Sequence, residues 1–574
     1  MTVALQMPLT PGAVRVNPRF DNDQRRYEDW HFARCADLRL TVESWHRWKA
    51  KKYLSFANNR IREISGALNR ADLNYAFDDD QIKDFAEAKS RQASGLYERR
   101  GWSAVARLLD VYGFGFSPEE MKRLSERSRA ARTACARWWR RKCRTAGYRV
   151  CEQICRDLGL TRKQTGAYVS DFTLRRMVQR DGRNRSLLDN LEATNQRGES
   201  FTLSELSDLG VSNPGIRRGE LMTRIRGFEE WVDRYGGGEW VPMFYTLTCP
   251  SSYHQYLSQG VRNEKYNGAT PRDAQSYLCG VWARCRAEFA RSDYRYFGFR
   301  VAEPHHDGCP HWHLLLFVRS VDVAGFCTVF KRQALSVDPD EPGANEHRFA
   351  AVEIDRERGS AAGYIAKYIS KNIDGFRVGE DYETGADAIR TAARVRAWAS
   401  VWGIRQFQQI GGAPVTVWRE LRRSVNQPER AAPEAKQPVE FLEIQDAADR
   451  GKWAEFTEKM GGAVARRLSR PLQVCYLLRR KAGVYGEPVK FVKGLWSWWQ
   501  SFPILTRCNE WVIGFKNLGA SLTEAVPVAN GEIHGTAPDY SIPASRFCAH
   551  VRAMRICRFF EAHAPPARAL DLCQ

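Results

Sequence analysis

Two histidines and a glutamate in one short stretch are the residues of this sequence best suited to chemistry. His311 and His313 lie two residues apart in the apolar run HWHLLLFV, which is typical of a β-strand. Because side chains alternate between the faces of a strand, both imidazoles project from the same face. The preceding run YRYFGFRVAE also predicts a strand, and the turn PHHDGCP joins the two. With residues 304–310 as the loop, Glu303 pairs with His311 and joins the two imidazoles.

One carboxylate and two imidazoles predict a divalent metal site that keeps positions open for substrate oxygens. The mixed nitrogen and oxygen ligands favour Mg²⁺ or Mn²⁺. Two other sites fit parts of the pattern. The turn residues His305, His306 and Cys309 could hold a structural zinc ion, and two histidines with one carboxylate also describe a non-haem iron oxygenase. A structural zinc site takes four nitrogen or sulfur ligands, so we favour the open site; residues elsewhere must separate it from the oxygenase.

A pair of tyrosines further along the chain adds a second chemical feature. In GYIAKYISKN, residues 363–372, Tyr364 and Tyr368 stand one helical turn apart, and so do Lys367 and Lys371. Such a tyrosine pair alone is typical of half-buried packing. Beside a metal site it also suits attack on a phosphodiester, in which the metal polarises the phosphoryl oxygen and the lysines stabilise the charge.

Three motifs together resemble the His-hydrophobic-His (HUH) endonuclease superfamily, and above all the replication gene A proteins of temperate tailed bacteriophages. The motifs are the HWH strand, the YIAKY helix and the earlier strand FYTLTCPS, which contains Thr246 and Thr248. The likeness covers about residues 213–423. Their order is that of rolling-circle replication initiators, because the related conjugative relaxases place their tyrosines before the histidines. The resemblance implies metal ligands at Glu303, His311 and His313, and nucleophiles at Tyr364 and Tyr368.

The resemblance also implies an activity and its partners. The implied activity is that of a site-specific single-strand DNA endonuclease and strand transferase. Such an enzyme forms a 5′-phosphotyrosyl intermediate at a replication origin and so initiates rolling-circle replication of a phage or prophage. The expected partners are covalently held single-stranded origin DNA and double-stranded DNA, and the resemblance adds the host helicase and polymerase. Thr246 and Thr248 are candidate DNA-binding residues. Two alternatives stay open, namely a transposase of the same superfamily and a non-catalytic DNA-binding regulator.

Composition favours a polyanionic partner. The 574 residues include 88 Lys and Arg against 67 Asp and Glu, a net charge of +21. The 15 cysteines follow no disulfide spacing, which predicts a reducing compartment. No secretory signal or membrane-spanning run of apolar residues occurs, so we expect a protein of the bacterial cytoplasm with no membrane partner.

Two segments before the metal site suit DNA contact. Residues 121–150 hold eleven Lys or Arg and one Glu, and aromatic residues lie among the charges. The pattern is typical of a solvated helix face, but it also suits a phosphate backbone with stacked bases. Residues 152–175 resemble either a helix-turn-helix or a plain helix pair. The residues predicted to contact DNA are Arg137, Trp138, Trp139, Arg140 and Arg141 in the first segment, and Arg162 and Lys163 at the start of a recognition helix in the second.

Together the patterns predict an α+β protein of several domains. Around the metal motif the element order is strand, helix, strand, strand, helix, strand, which is the split βαβ pattern of ferredoxin-like folds, followed by the tyrosine helix. We expect a helical N-terminal region and a small, mostly helical C-terminal region. The predicted boundaries are an irregular arm at 1–37, a basic helical region at 38–235, the HUH catalytic domain at 236–423, a linker at 424–439, a helical region at 440–515 and a partly disordered tail at 516–574.

Overall fold

The computed structural model describes residue 73, residues 79–376, residue 381, and residues 387–425, 438–479, 482–499 and 503–516. The predicted arm at 1–37, most of the predicted linker and all but the first residue of the predicted tail lie outside these residues. Among the described helices, none has the length and apolar character that a membrane crossing requires.

A group of helices begins the described chain, as the sequence predicts. Helix α1 is kinked at Gly101, and it packs against α4 around a core that contains Tyr112 and Trp139. The bounds of these helices are Asp79–Tyr112 (α1), Pro118–Arg123 (α2), Glu126–Thr133 (α3), Ala136–Asp157 (α4) and Asp171–Asn190 (α5).

The predicted recognition helix is wrong. After α4 ends at Asp157, residues 158–170 form turns, and the next helix begins only at Asp171 with Ser170 as its N-cap. Thr161, which directly precedes the residues predicted to start the recognition helix, donates its buried hydroxyl to Glu152 at 2.9 Å. The same carboxylate accepts hydrogen bonds from the backbone and hydroxyl of Ser170. A buried acidic side chain therefore organises this connection as a turn, which local sequence spacing does not reveal.

Two short strands and two helices lead into a central sheet. They are Leu191–Asn195 (β1), Ser200–Thr202 (β2), Leu203–Asp208 (α6) and Pro214–Tyr235 (α7). Asn213 caps α7 and a proline occupies its first turn, which fits the start that residues 213 and 214 predict.

The central sheet has five antiparallel strands in the order β6-β3-β5-β4-β7. Helices connect the strands and then lead to the tyrosine helix α11, so the element order around the metal motif is the predicted one and the α+β class is confirmed. The bounds are Trp240–Thr248 (β3), Pro271–Arg291 (α8), Tyr296–Pro304 (β4), Pro310–Arg319 (β5), Val323–Ala334 (α9), Ala344–His347 (α10), Phe349–Glu353 (β6), Ala361–Ile373 (α11), Ala388–Trp402 (α12) and Phe407–Ile410 (β7).

Both faces of this sheet are covered. Helices α8, α9 and α12 pack on one face, against the side of β5 that carries Trp312 and Leu314. Helices α7 and α11 pack on the other face, against the side that carries Leu315 and Phe317. His311 and His313 share the second face, because they have the same parity along β5 as Leu315.

The mostly helical C-terminal region is a prediction that the structure corrects. Helices extend only to Lys459, and the described chain from Leu472 onward is built of strands. Three strands form a separate sheet, and the last strand pairs with β1 of the N-terminal region. This pairing partner lies hundreds of residues away, so the strand has no local signal. The bounds are Val415–Val425 (α13), Val439–Asp449 (α14), Trp453–Lys459 (α15), Leu472–Leu478 (β8), Lys490–Ser497 (β9), Ile504–Leu505 (β10) and Trp511–Phe515 (β11).

Candidate active site

The β4–β5 hairpin has the register that the sequence predicts. Glu303 pairs with His311 across the hairpin, and Pro304 pairs with Pro310. The tight turn depends on Gly308, whose φ of 83° is costly for other residues. Asp307 stabilises the same turn, because its carboxylate accepts a hydrogen bond from the backbone of Cys309 at 3.0 Å.

Other parts of the protein hold this turn from outside. The backbone N–H of Tyr168, in the connection between α4 and α5, donates to the carbonyl of His306 at 3.1 Å. The Trp398 indole on α12 donates to the carbonyl of Gly308 at 2.8 Å. The connection that was predicted to begin a recognition helix therefore supports the histidine hairpin.

Glu303, His311 and His313 form a compact buried group. Their ligand atoms all lie within 4.8 Å of one another, and no other described residues form such a group. The Nε2 atoms of the two histidines are 3.0 Å apart. Oε2 of Glu303 lies 3.9 Å from Nε2 of His311 and 3.7 Å from Nε2 of His313. Ligands about 2.1 Å from one metal ion lie about 3 to 4 Å from each other, so the three residues fit a single divalent ion.

The closed zinc site does not form among the described residues. The turn residues His305, His306 and Cys309 belong to no metal-ligating group there. The His306 ring instead lies 3.2 Å from the carbonyl of Tyr256 and is buried. The ring of His305 packs against His311 at 4.0 Å between centroids. Of the turn histidines, His305 thus packs against the three-residue group, whereas His306 contacts the backbone of Tyr256.

Neighbouring polar groups orient two of the three ligands. The hydroxyl of Thr246 on β3 lies 3.1 Å from Nδ1 of His313, which leaves Nε2 directed at the group. The Asn372 amide on α11 donates to the carboxylate of Glu303. Gln406 in turn lies 3.3 Å from the Asn372 amide oxygen. By contrast, the buried Nδ1 of His311 has no hydrogen-bond partner within the described residues.

The environment of His311 favours its neutral imidazole. Burial first, and then the neighbouring His305, His313 and Lys371, hold the pKa of His311 well below its usual value. A neutral imidazole is the form that binds a metal ion.

Helix α11 is held over this face of the sheet at its N-terminus and along its apolar side. The buried carboxylate of Glu229 on α7 accepts from the backbone N–H groups of Ala361 and Ala362, at 2.7 and 3.1 Å. Ser360 is the N-cap and accepts from the third free N–H group, so the helix start is well satisfied. One apolar stripe is buried against α7 and the sheet, formed by Ile365, Ile369 and Ile373.

The two tyrosines lie beside the metal-ligating group. The ring of Tyr368 is 4.3 Å from that of His313 between centroids. Phe244 of β3 contacts both tyrosines, at 4.7 Å for Tyr364 and 5.5 Å for Tyr368. Tyr364 is 42% exposed, whereas Tyr368 is partly buried. Burial, followed by the charge of Glu303 and by Tyr364, raises the pKa of Tyr368 to about 12.

The two lysines of α11 have different surroundings. Lys367 is exposed, and its ammonium lies 5.2 Å from the centre of the Tyr368 ring and 5.9 Å from that of Tyr364. Lys371 is largely buried, and its ammonium lies 3.0 Å from Asp381 and 3.9 Å from Glu303. Of the two lysines, Lys367 is therefore the exposed one and has its ammonium near both tyrosine rings.

The residues predicted to contact DNA are scattered. Trp138 and Trp139 are buried in the helical core, and Trp139 also donates its indole N–H to the carbonyl of Thr133. Their rings are covered by protein, so the predicted stacking on bases is wrong for this structure. Thr248 pairs with His311 across the sheet, beside Thr246.

The arginines and the lysine that were also predicted to contact DNA are half-buried or exposed. Arg141 is exposed and donates to the Tyr485 hydroxyl at 2.6 Å, whereas Arg137 and Arg140 are half-buried. Arg162 is half-buried and Lys163 is exposed, both on the turn after α4 rather than on a helix. Their contact with DNA stays a prediction.

Several site residues escaped the sequence patterns. Asn372 stands four residues after Tyr368 on the same helix, so helical spacing could have found it. Asp381, Gln406 and Tyr168 reach the site only through tertiary contacts, and no local pattern marks them.

Comparison with known families agrees with this arrangement of hairpin and helix. Residues 116–376 match the family described as bacteriophage replication gene A protein (GPA). Residues 116–376 are therefore similar to the bacteriophage replication gene A proteins. The match includes the metal-ligating group, the tyrosine helix and part of the helical region before them, and Asp381 lies beyond it.

Individual relatives match a similar share of the chain. The replication gene A protein of Escherichia phage 186 is 44% identical over 383 residues, 66% of this chain and 54% of the relative. The probable replication protein P12 of Pseudoalteromonas phage PM2 is 42% identical over 376 residues, 64% of this chain and 56% of the relative. A protein of Salmonella typhi named "probable replication endonuclease from prophage-like region 2" is 34% identical over 392 residues, 66% and 48% of the two chains. The chain thus spans about half the length of these relatives, and no solved structure matches it.

Proposed function

We propose that this protein is a metal-dependent DNA endonuclease and strand transferase that nicks a replication origin through a tyrosine and so initiates rolling-circle replication. One observation carries the proposal: the ring of Tyr368 contacts His313, which belongs to the buried three-residue group that fits a divalent ion. A potential nucleophile and potential ligands for a phosphate-activating metal thus lie side by side between sheet and helix. This combination also separates the site from an iron oxygenase, whose reaction has no use for a tyrosine pair.

Glu303, His311 and His313 would hold Mg²⁺ or Mn²⁺ between the sheet and α11. A bound ion would supply Lewis-acid polarisation of a phosphoryl oxygen. Thr246 keeps Nε2 of His313 directed at the group, and Asn372 holds the Glu303 carboxylate from the helix side. These contacts fix the ligands before DNA arrives, which reduces the reorganisation that the reaction requires.

Tyr368 and Tyr364 are the proposed nucleophiles, with Tyr368 acting first because its ring contacts a ligand. The phenolic oxygen attacks phosphorus, a new phosphorus–oxygen bond forms, and the bond to the 3′ oxygen breaks. The phenol loses its proton and the departing oxygen gains one, giving a 5′-phosphotyrosyl link and a free 3′-OH. Because one phosphodiester replaces another, rejoining needs no ATP. A second tyrosine about one turn, 5.4 Å, away can cut the regenerated origin while the first still holds DNA.

Lys367 is the lysine that we propose contacts the phosphate. Its ammonium lies on the exposed side of α11, near both phenol rings. An incoming strand that reaches the tyrosines must pass this charge. The positive charge would lower the energy of the extra negative charge that develops on phosphorus during attack.

The sheet supports a ferredoxin-like HUH fold for this domain. Strands β3, β4, β5 and β6 follow the order β6-β3-β5-β4 in space, and the helices α8 and α9 that connect them pack on one face. That leaves the opposite face for the ligands and α11. The placement of the predicted metal on the sheet and the phenols on a facing helix suits the proposed chemistry.

The proposed substrate is single-stranded DNA at a phage or prophage origin, with flanking duplex bound by other parts of the protein. Relatives named as replication proteins and replication endonucleases, together with the net charge of +21, support this choice. A host helicase and polymerase would then extend the free 3′-OH.

Covalent capture tests the proposal without knowledge of the origin sequence. The protein is mixed with single-stranded oligonucleotides that share fixed ends and a randomised centre, in the presence of Mn²⁺ or of chelator. Adducts are isolated under denaturing conditions, and the trapped strands are sequenced. We expect metal-dependent adducts that share one sequence motif.

The control is the double variant His311→Ala/His313→Ala, which removes two ligands and leaves both tyrosines in place. It should form no adduct in either condition. Adducts that form equally well in chelator would contradict the metal, and the absence of any adduct with the unaltered protein would favour a DNA-binding regulator instead.

A further inference from the structure

A buried ion pair lies directly beside the metal-ligating group. The Lys371 ammonium is 3.0 Å from the carboxylate of Asp381 and 3.9 Å from Oε2 of Glu303. Oε2 is also the Glu303 atom nearest to both imidazoles, at 3.7 and 3.9 Å. A lysine charge and a metal ion would therefore compete for the same carboxylate oxygen.

Asp381 offsets that competition. Its carboxylate is the closer partner of Lys371, and it is only 1% exposed. Ion pairs this far from water are strong, and a buried cation that loses its carboxylate is costly. Without Asp381, the ammonium group of Lys371 would gain by closing the 3.9 Å gap to Glu303.

Asp381 is itself held by the segment between α4 and α5. The fully buried hydroxyl of Tyr168 donates to the second oxygen of Asp381. Tyr168 has a φ of 74°, a left-handed conformation that is uncommon and costly for a bulky residue. Its backbone N–H also contacts the turn of the histidine hairpin, through His306. The strained residue thus connects the hairpin to Asp381.

We propose that Asp381 is a positioning residue that holds Lys371 away from Glu303 and so keeps the Glu303 carboxylate available to the metal. This inference rests on the proposed metal site and adds a role to two residues near it. It also assigns Lys371 to the metal site, whereas Lys367 serves the phosphate. Two lysines at helical spacing therefore have separate tasks.

The inference predicts opposite effects for the two partners of one ion pair. Removing the Asp381 charge by Asp381→Asn lets Lys371 close on Glu303, so Mn²⁺ should bind more weakly, by about 10- to 100-fold as is usual for groups that orient a metal ligand. Removing the cation by Lys371→Met should leave Mn²⁺ affinity equal to or tighter than that of the unaltered protein. The double variant should bind Mn²⁺ as Lys371→Met does, because the competitor is gone.

The measurement is binding of Mn²⁺ alone to the full chain without DNA, followed by the electron paramagnetic resonance signal of free Mn²⁺ at one fixed pH. Asp374→Asn is the matched control, since Asp374 at the end of the same helix pairs with Arg218 instead. It should bind Mn²⁺ like the unaltered protein. Loss of packing alone cannot explain recovery of binding in the double variant, so recovery supports the positioning role.

Three results would overturn the inference. They are unchanged affinity in Asp381→Asn, weaker binding in Lys371→Met, and a double variant as weak as Asp381→Asn. Should Asp381→Asn fail to fold, the Lys371→Met result still decides, because tighter or equal binding is required of it. If the unaltered protein binds no Mn²⁺, or binds it equally well after His311→Ala, the metal site itself is wrong and this inference fails with it.

Discussion

The two faces of the central sheet are built from the same five strands but are put to different uses. The side chains of β5 alternate between the two faces: His311 and His313 lie on one face, and Trp312 and Leu314 lie on the other. All four are buried. The Trp312 face packs on three helices through an almost wholly apolar core. The histidine face buries the Glu303 carboxylate beneath α11, and α11 brings the Asn372 amide and the Lys371 ammonium to that carboxylate.

This difference shows how the fold stays stable although it contains a buried polar site. Buried polar and charged groups cost free energy unless they are paired, and the histidine face pairs them through Thr246, Asn372 and Asp381. The opposite face contributes the apolar burial that stabilises the strands. Substitutions on the histidine face should therefore reduce metal binding and DNA cleavage, and substitutions on the Trp312 face should reduce the free energy of unfolding.

The largest effect is expected on the histidine face. His311→Ala or His313→Ala removes one of three ligands, so we expect adduct formation to fall below detection while affinity for the same oligonucleotide is largely retained. Gel detection of the adduct and fluorescence anisotropy of binding measure the two quantities separately. Cleavage by either variant at the rate of the unaltered protein would show that the histidines of this face are not needed for the reaction.

On the opposite face, Trp312→Ala should reduce stability rather than chemistry. The Trp312 ring is fully buried and donates its indole N–H to Gln275 at 3.0 Å, so its loss should lower the free energy of unfolding by about 3–5 kcal/mol. Urea denaturation followed by circular dichroism gives this value. Trp496→Ala, at a tryptophan that is 43% exposed, is the control and should cost much less. Equal costs for the two variants would show that the apolar face does not carry the stability.

A smaller effect is expected where a neighbouring side chain orients a ligand. Thr246→Val removes the hydroxyl beside Nδ1 of His313 and keeps the shape of the side chain, so Mn²⁺ affinity should fall about tenfold with little change in the melting temperature. Thr248→Val is the matched control, because its hydroxyl bonds no histidine within the described residues. Metal titration of both variants measures the difference. A loss of affinity shared by both would point to the strand itself instead of to the hydroxyl.

The site was easier to predict from the sequence than the regions around it, for a physical reason. Alternation along β5 places both histidines on one face, and the loop predicted at residues 304–310 sets Glu303 opposite His311, as the strand pairing confirms. The two end residues of that loop, Pro304 and Pro310, also pair, so the turn itself is residues 305–309. The tyrosine motif of residues 363–372 likewise lies on a helix, α11, because its apolar residues recur at helical spacing, which is a local signal. Periods of two and 3.6 residues thus specify which side chains meet within one hairpin or one helix.

Features that depend on distant partners were missed. The turn at residues 158–170 follows from the buried Glu152, and β11 pairs with β1, which lies about three hundred residues earlier in the chain. Asp381 has no neighbour in sequence that marks it, and it reaches Lys371 only after the chain has folded. Sequence spacing carries no information on such contacts.

The central claim is that a tyrosine of α11 becomes linked to DNA, and mapping the linked residue tests it most directly. The adduct is digested with protease and nuclease, and mass spectrometry locates the nucleotide that remains on the peptide. The account predicts linkage at Tyr368, or at Tyr364 when Tyr368 is changed to Phe, and no adduct with the variant Tyr364→Phe/Tyr368→Phe. An adduct formed by that double variant, or a nucleotide found on a residue outside α11, would contradict it.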